Sequence, residues 1–240
     1  MSVNTLNRFR SISWLALIVL LATSVHAQQA GGLTADFRDS RTLKVQRKVD
    51  QLFDRGDYDR AYFIYRNELV PLGDKYAQYM VGFMHLTGMG VEEDPVAASA
   101  WYRLAAERAT PQFIAVRDML FEDLSAEQRQ QSDLLFLEIR RSYSDLAILL
   151  DSIKRNMRDV TPMTGSRLRT SSPMTVIDAK SPHQTQSSTV FYGRIESELE
   201  GNLVTLARIS GFTDLETDPS RFDIDEVERL VNERLASIPD

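Results

Sequence analysis

The sequence predicts an all-α protein. Three observations carry that expectation. From Val45 onward apolar residues recur at three- and four-residue spacing, the gaps between these runs hold helix-start and helix-stop residues, and no convincing set of alternating strands appears.

Each element has its own justification. Val45, Val49, Leu52 and Phe53 repeat at helix spacing, and Gly56 closes that helix. Asp57 caps a second helix in which Ala61, Tyr65 and Leu69 share a face, stopping before Pro71. A third runs from Asp74 to Thr87 and carries Ala77, Val81 and Met84. Asp94-Pro95 opens a fourth, its carboxylate accepting from free N–H groups and its proline filling the first turn. Thr110-Pro111 opens a short fifth helix ending near Glu122. Ser125 with Gln128 reads as a capping box for a long helix that reaches Arg158.

Within that long helix Leu135, Ile139, Ser142, Leu146, Leu149 and Ile153 alternate four- and three-residue steps, the period that keeps one seam against a neighbour. An exposed apolar seam of that length is an aggregation hazard, so something must cover it. Two occupants are expected: a helix at 190–208 folding back, or a partner surface formed by Leu135, Ile139, Leu146, Leu149 and Ile153, either a homodimer seam or a client site. Residues 161–189 hold twelve Ser or Thr and three Pro, the composition of a mobile linker. Beyond it Phe191, Ile195, Leu199, Leu203 and Leu206 fit a helix face, while Gly201-Asn202 would also suit a hairpin turn. Val227, Leu230, Val231 and Leu235 make a final amphipathic helix over 223–238.

Composition narrows the function classes. The chain has 240 residues, 28 basic and 34 acidic side chains, a net charge of −6 and no cysteine. Without cysteine there is no disulfide framework, no cysteine-bound zinc and no thiol nucleophile. The acidic balance argues against a generic nucleic-acid binder, which needs basic residues to neutralise phosphates. Residues 1–27 have the zones of a secretory signal peptide: Arg8 and Arg10, an apolar run over 14–22, and Val25-His26-Ala27 ahead of a cleavage site before Gln28. The apolar run is short for a bilayer span, and an uncleaved anchor is the alternative. Export to the periplasm or the exterior follows, with no transmembrane span after processing and a mature charge of −8 on residues 28–240. The expected organisation is a signal peptide at 1–27, a flexible leader at 28–40, a helical region at 41–122, a long helix at 123–158, a linker at 159–189 and C-terminal helices at 190–240.

Residues 77–107 carry the most specific pattern. Ala77 and Gly82 are small where two helices approach, and Gly88 and Gly90 give a tight interhelical turn. After Asp94, Ala98, Ala105 and Ala106 keep the second helix thin while Trp101 and Tyr102 fill the space between layers. This segment resembles a Sel1-like repeat, a bacterial relative of the tetratricopeptide repeat. The resemblance implies a short α-solenoid of helix-turn-helix repeats over 41–122, extended by the long helix. Asp57, Ala61, Tyr65 and Gly73 look like part of a preceding repeat. Downstream the pattern fades, with Phe113 where a small residue is expected and Ala109 in place of the usual glycine. His85 stands where the family usually has tyrosine.

No Gly-x-Ser-x-Gly, His-Glu-x-x-His, phosphate-loop or calcium-loop pattern occurs. The acidic runs at 92–94 and 223–226 lie at helix starts, where they favour the dipole. No catalytic, cofactor or metal residue is therefore expected, and no enzyme activity. The leading expectation is an envelope adaptor or regulator that binds a protein or peptide, as helical-repeat stacks do. The alternatives are a structural subunit of an envelope complex and a hydrolase with its site in 190–240.

Overall fold

The computed structural model describes residues 40–160, 175–177, 185–212, 215–219 and 221–238. The expected signal peptide, nearly all of the leader and most of the linker lie outside these residues. The chain divides into two compact units, 1–144 and 145–240.

Among the described residues the first unit holds six α-helices, taken in chain order as three pairs. Helix α1 (Ser40–Asp54) buries Val49 and Leu52. It ends where Asp57 N–H bonds back to Leu52 O and Gly56 N–H to Phe53 O, a closure that satisfies two terminal carbonyls. Helix α2 (Tyr58–Ile64) buries Ala61 and Ile64, then runs on through a π-helical turn at Tyr65–Leu69 and a 3-10 turn at Val70–Leu72. Pro71 has no N–H to continue an α-helical ladder, so the path changes there. Helix α3 (Lys75–Thr87) starts on Asp74, whose carboxylate accepts from the N–H groups of Tyr76 and Ala77. Helix α4 (Pro95–Ala105) starts on Asp94, which accepts from Val96 and Ala97 in the same way. The cap expected at Asp94 is present, down to the proline in the first turn of α4, whereas Asp57, expected to cap α2, makes no capping hydrogen bond and accepts from Arg60 instead.

Helix α5 (Pro111–Asp123) buries Phe113 and Val116, and α6 (Ala126–Tyr143) follows on a complete Ser125/Gln128 capping box. Helices α3 and α4 pack on one another, α5 packs on α4, and α6 packs along α4. Their apolar faces form one core that runs from Val49 to Ile139.

The expected single helix over 123–158 is two helices. Ser144 is extended, with φ −69° and ψ 161°, and α7 (Asp145–Val160) begins after it. A serine followed by an aspartate competes for backbone N–H groups and favours a helix start over a helix interior. The continuous seam expected from Leu135 to Ile153 therefore does not exist. Leu135 and Ile139 pack into the core of the first unit, while Ser142 is exposed.

In the second unit α8 (Ser188–Ser210) and α9 (Ile224–Leu235) both pack on α7. Residues 190–208 thus form a helix, not a hairpin, and it covers α7 as one of the two expected occupants. Leu149 and Ile153 of α7, Leu199, Leu203 and Leu206 of α8, and Val227, Val231 and Leu235 of α9 are buried. Leu146 is buried as well. Asn202 donates to the Ser152 hydroxyl at 3.1 Å, and Lys154 pairs with Glu228 at 2.6 Å. Within the segment expected to be a linker, β1 (Thr175–Ile177) pairs antiparallel with β2 (Thr185–Ser187), Val176 opposite Gln186. This short ladder is an addition that the sequence reading lacks; the fold remains all-α in its architecture.

Candidate functional site

The polar chemistry of the first unit is concentrated around α3. Lys75 is buried, and its ammonium donates to Gln78 Oε1 at 3.1 Å, to the Leu104 carbonyl at 3.3 Å and to Glu107 Oε2 at 2.7 Å. Gln78 is fully buried and donates through Nε2 to the Tyr143 carbonyl at 2.9 Å. These contacts fasten the first turn of α3 to the last turn of α4 and to the end of α6. Every hydrogen-bonding capacity they use is structural, which is the condition for keeping a lysine and a glutamine inside a core.

Asp74 does the same at the start of α3. It caps the helix and accepts from Gln46 Nε2 at 2.9 Å, joining α1 to α3. Burial pushes its carboxyl above the usual range, while the hydrogen bonds from Gln46 and the two backbone N–H groups oppose that rise. Alongside lies a run of rings: Tyr76 stacks near Tyr79, and Tyr79 lies 5.2 Å from Tyr102 and 5.1 Å from Phe113. Burial raises the phenol pKa of Tyr79 and Tyr102, and the Tyr102 hydroxyl is buried without a hydrogen-bond partner. None of these phenols is poised to ionise.

A different environment surrounds Arg66, in the π-helical turn that continues α2. Its guanidinium carbon lies 4.9 Å from the centre of the Trp101 ring and 4.5 Å from that of Tyr143. The two rings are 5.9 Å apart, and the cation lies close to both. Trp101 itself is 3% exposed, between helices as expected. One turn earlier, Tyr62 meets His85 Nε2 at 3.1 Å, ring edge to ring face. Burial lowers the pKa of His85, with the Asp94 carboxylate opposing and Arg66 adding to the fall. The fold therefore favours the uncharged imidazole, which packs here as a polar-tipped filler beside Tyr62. Among the described residues no group of three or more His, Cys, Asp or Glu is placed to hold a metal ion.

The structural residues of the sequence pattern come together at α3 and α4. Gly90 has φ +73°, and a Cβ built there would stand 2.4 Å from the Tyr58 carbonyl oxygen. Only glycine lets the α3–α4 turn rest on the start of α2. A Cβ on Gly82 would lie 3.0 Å from the Tyr102 ring, which is how closely α3 and α4 pack. Ala77, Ala98, Ala105 and Ala106 are buried at the contacts of these helices, and Gly88 ends α3. These two helices form the close-packed helix-turn-helix that the resemblance to a Sel1-like repeat implies.

No family model matches the chain. A solved structure to which it is similar is a protective antigen present in uropathogenic Escherichia coli strains and displaying an SLR fold. The identity is 25%, over 48% of this chain and 23% of the antigen, with a TM-score of 0.36. The chain thus spans about a quarter of that antigen's length.

Of the residues expected to form a partner surface, Leu135 and Ile139 belong to the first unit and Leu146, Leu149 and Ile153 to the second. All but the half-buried Leu135 are buried, so they do not make one open surface. What the sequence reading missed is Arg66. Its only local signal is its place in the helix that Pro71 ends; the rings it caps lie 35 and 77 positions away.

Proposed function

We propose that the chain is an exported protein-interaction module of the bacterial cell envelope, with no catalytic activity of its own. The observation that supports this most is the disposition of the first unit. Its pattern residues are consumed in packing three helix pairs, while Phe63 on α2 and Leu134 on α6 stand outward at 60% and 66% exposure. Helical stacks of this kind present extended surfaces that bind other chains. The partner is a protein or peptide segment; the acidic balance of the chain disfavours nucleic acid. Among the described residues no helix is long and apolar enough to cross a membrane.

Two measurements test this. N-terminal sequencing of protein recovered from the envelope fraction is expected to begin at or near Gln28, and a retained Met1 on membrane-bound protein overturns the export reading. Photo-crosslinking residues at Phe63 and Leu134 are expected to give discrete protein adducts in cells. If neither position gives any, the interaction reading fails.

A further inference from the structure

We propose that Arg66 is an anchor for a single carboxylate, the Asp or Glu side chain of an acidic partner peptide. The proposal rests on the interaction reading above and specifies which chemistry the partner must present.

Four observations converge on Arg66. First, it makes no hydrogen bond or ion pair with any described residue, although it is half-buried. Other arginines of the same unit have such partners: Arg103 meets Asp133, Arg108 donates to the Gly73 carbonyl, and Arg129 to the Glu122 carbonyl. Second, the guanidinium is held in place. Its carbon lies 4.9 Å from the centre of the Trp101 ring and 4.5 Å from that of Tyr143, contacts that restrict its freedom. A planar fork held in advance loses less freedom when it takes a two-pronged oxygen acceptor. Third, the residue is delivered by a π-helical turn, a widening of the helix that is uncommon and recurs where side chains serve a ligand. Fourth, Phe63 lies one turn before it on α2, outward, ready to meet an apolar neighbour of the acid.

The charge count selects the ligand. Arg66 is one cation, and His85, which feels its charge, has its pKa lowered chiefly by burial, so the fold favours the uncharged ring. A single guanidinium balances a monoanionic carboxylate and leaves a phosphomonoester dianion under-compensated.

The test uses the full chain and three pools of fluorescent nonapeptides with amidated C-termini, random except for a central Glu, Gln or phosphoserine. The Glu pool is expected to bind at least about tenfold more tightly than the Gln pool, a preference that weakens with added salt. Arg66→Met removes the preference, and Arg66→Lys, which keeps the charge without the fork, retains only part of it. Arg60→Met, on the same helix but paired with Asp57, leaves it unchanged. If Arg66→Met fails to fold by circular dichroism, the Arg66→Lys variant carries the comparison. Equal binding of Glu and Gln pools overturns the proposal, as does a preference surviving in Arg66→Met or an unchanged one in Arg66→Lys. A phosphoserine pool that outbinds Glu overturns it too. In each of those cases crosslinks at Phe63 or Leu134 would leave the interaction reading standing; with no peptide bound and no crosslink, both fall.

Discussion

Ala109 closes the 3-10 turn at Ala106–Arg108 that follows α4, with φ +55°, the one described residue other than glycine with a positive φ. In that conformation its Cβ crowds the neighbouring backbone, at a cost of about 1–2 kcal/mol. Ala109→Gly removes the crowding and adds some chain entropy to the unfolded state, so a net gain of about 1 kcal/mol is expected, read as a rise in melting temperature. Tyr102 offers a second gain. Its hydroxyl is buried and unpartnered, so Tyr102→Phe relieves a desolvated polar group and is expected to stabilise by about 1 kcal/mol in denaturant titrations. His85 sets a pH dependence. Its folded pKa lies below the ordinary 6.5, so the fold favours the neutral ring. The stability this group contributes is intact above the unfolded value and is lost as pH falls through 6.5 toward the folded value. Melting at pH 8 and pH 5.5 is expected to show a larger acid loss in the wild type than in His85→Gln; equal losses would remove His85 from the account.

At the scale of elements, the helix starts were legible because each depends on a few adjacent residues. Asp94 and Ser125 cap as read and the proline of α4 sits in its first turn, whereas Asp57 precedes α2 without a capping hydrogen bond. The α3–α4 turn was legible for the same reason, and it is the element most exposed to a single change. Gly90→Ala forces a positive φ on a residue with a Cβ and drives that atom into the Tyr58 carbonyl. A loss of about 3 kcal/mol is expected, since both the backbone strain and the displacement of α2 must be met. Elements that depend on distant partners escaped. Nothing local marks the π-helical turn at Tyr65–Leu69, and the apolar spacing runs straight through Ser144 because both flanking helices happen to keep phase. The buried Lys75 and Gln78 were equally opaque, their partners being 29, 32 and 65 positions away.

For the whole molecule, the sequence reading that something must cover the apolar face of 146–153 holds, with α8 as the cover. Deleting residues 190–240 removes α8 and α9 and bares Leu149 and Ile153. The truncated chain is expected to melt at lower temperature and to self-associate, which light scattering and analytical ultracentrifugation would record. A truncated chain as stable and as monodisperse as the full one would show that this face needs no cover from α8. Stacked repeats ordinarily touch only their immediate neighbours, so such proteins can lengthen or shorten by whole units without disturbing the rest. Here Arg66, from the first helix pair, caps one ring on the second, Trp101, and one that closes the third, Tyr143. That clasp spans all three pairs. A pair inserted after Arg108 would carry Tyr143 away from both Trp101 and Arg66, so the clasp ties these three pairs to their present spacing.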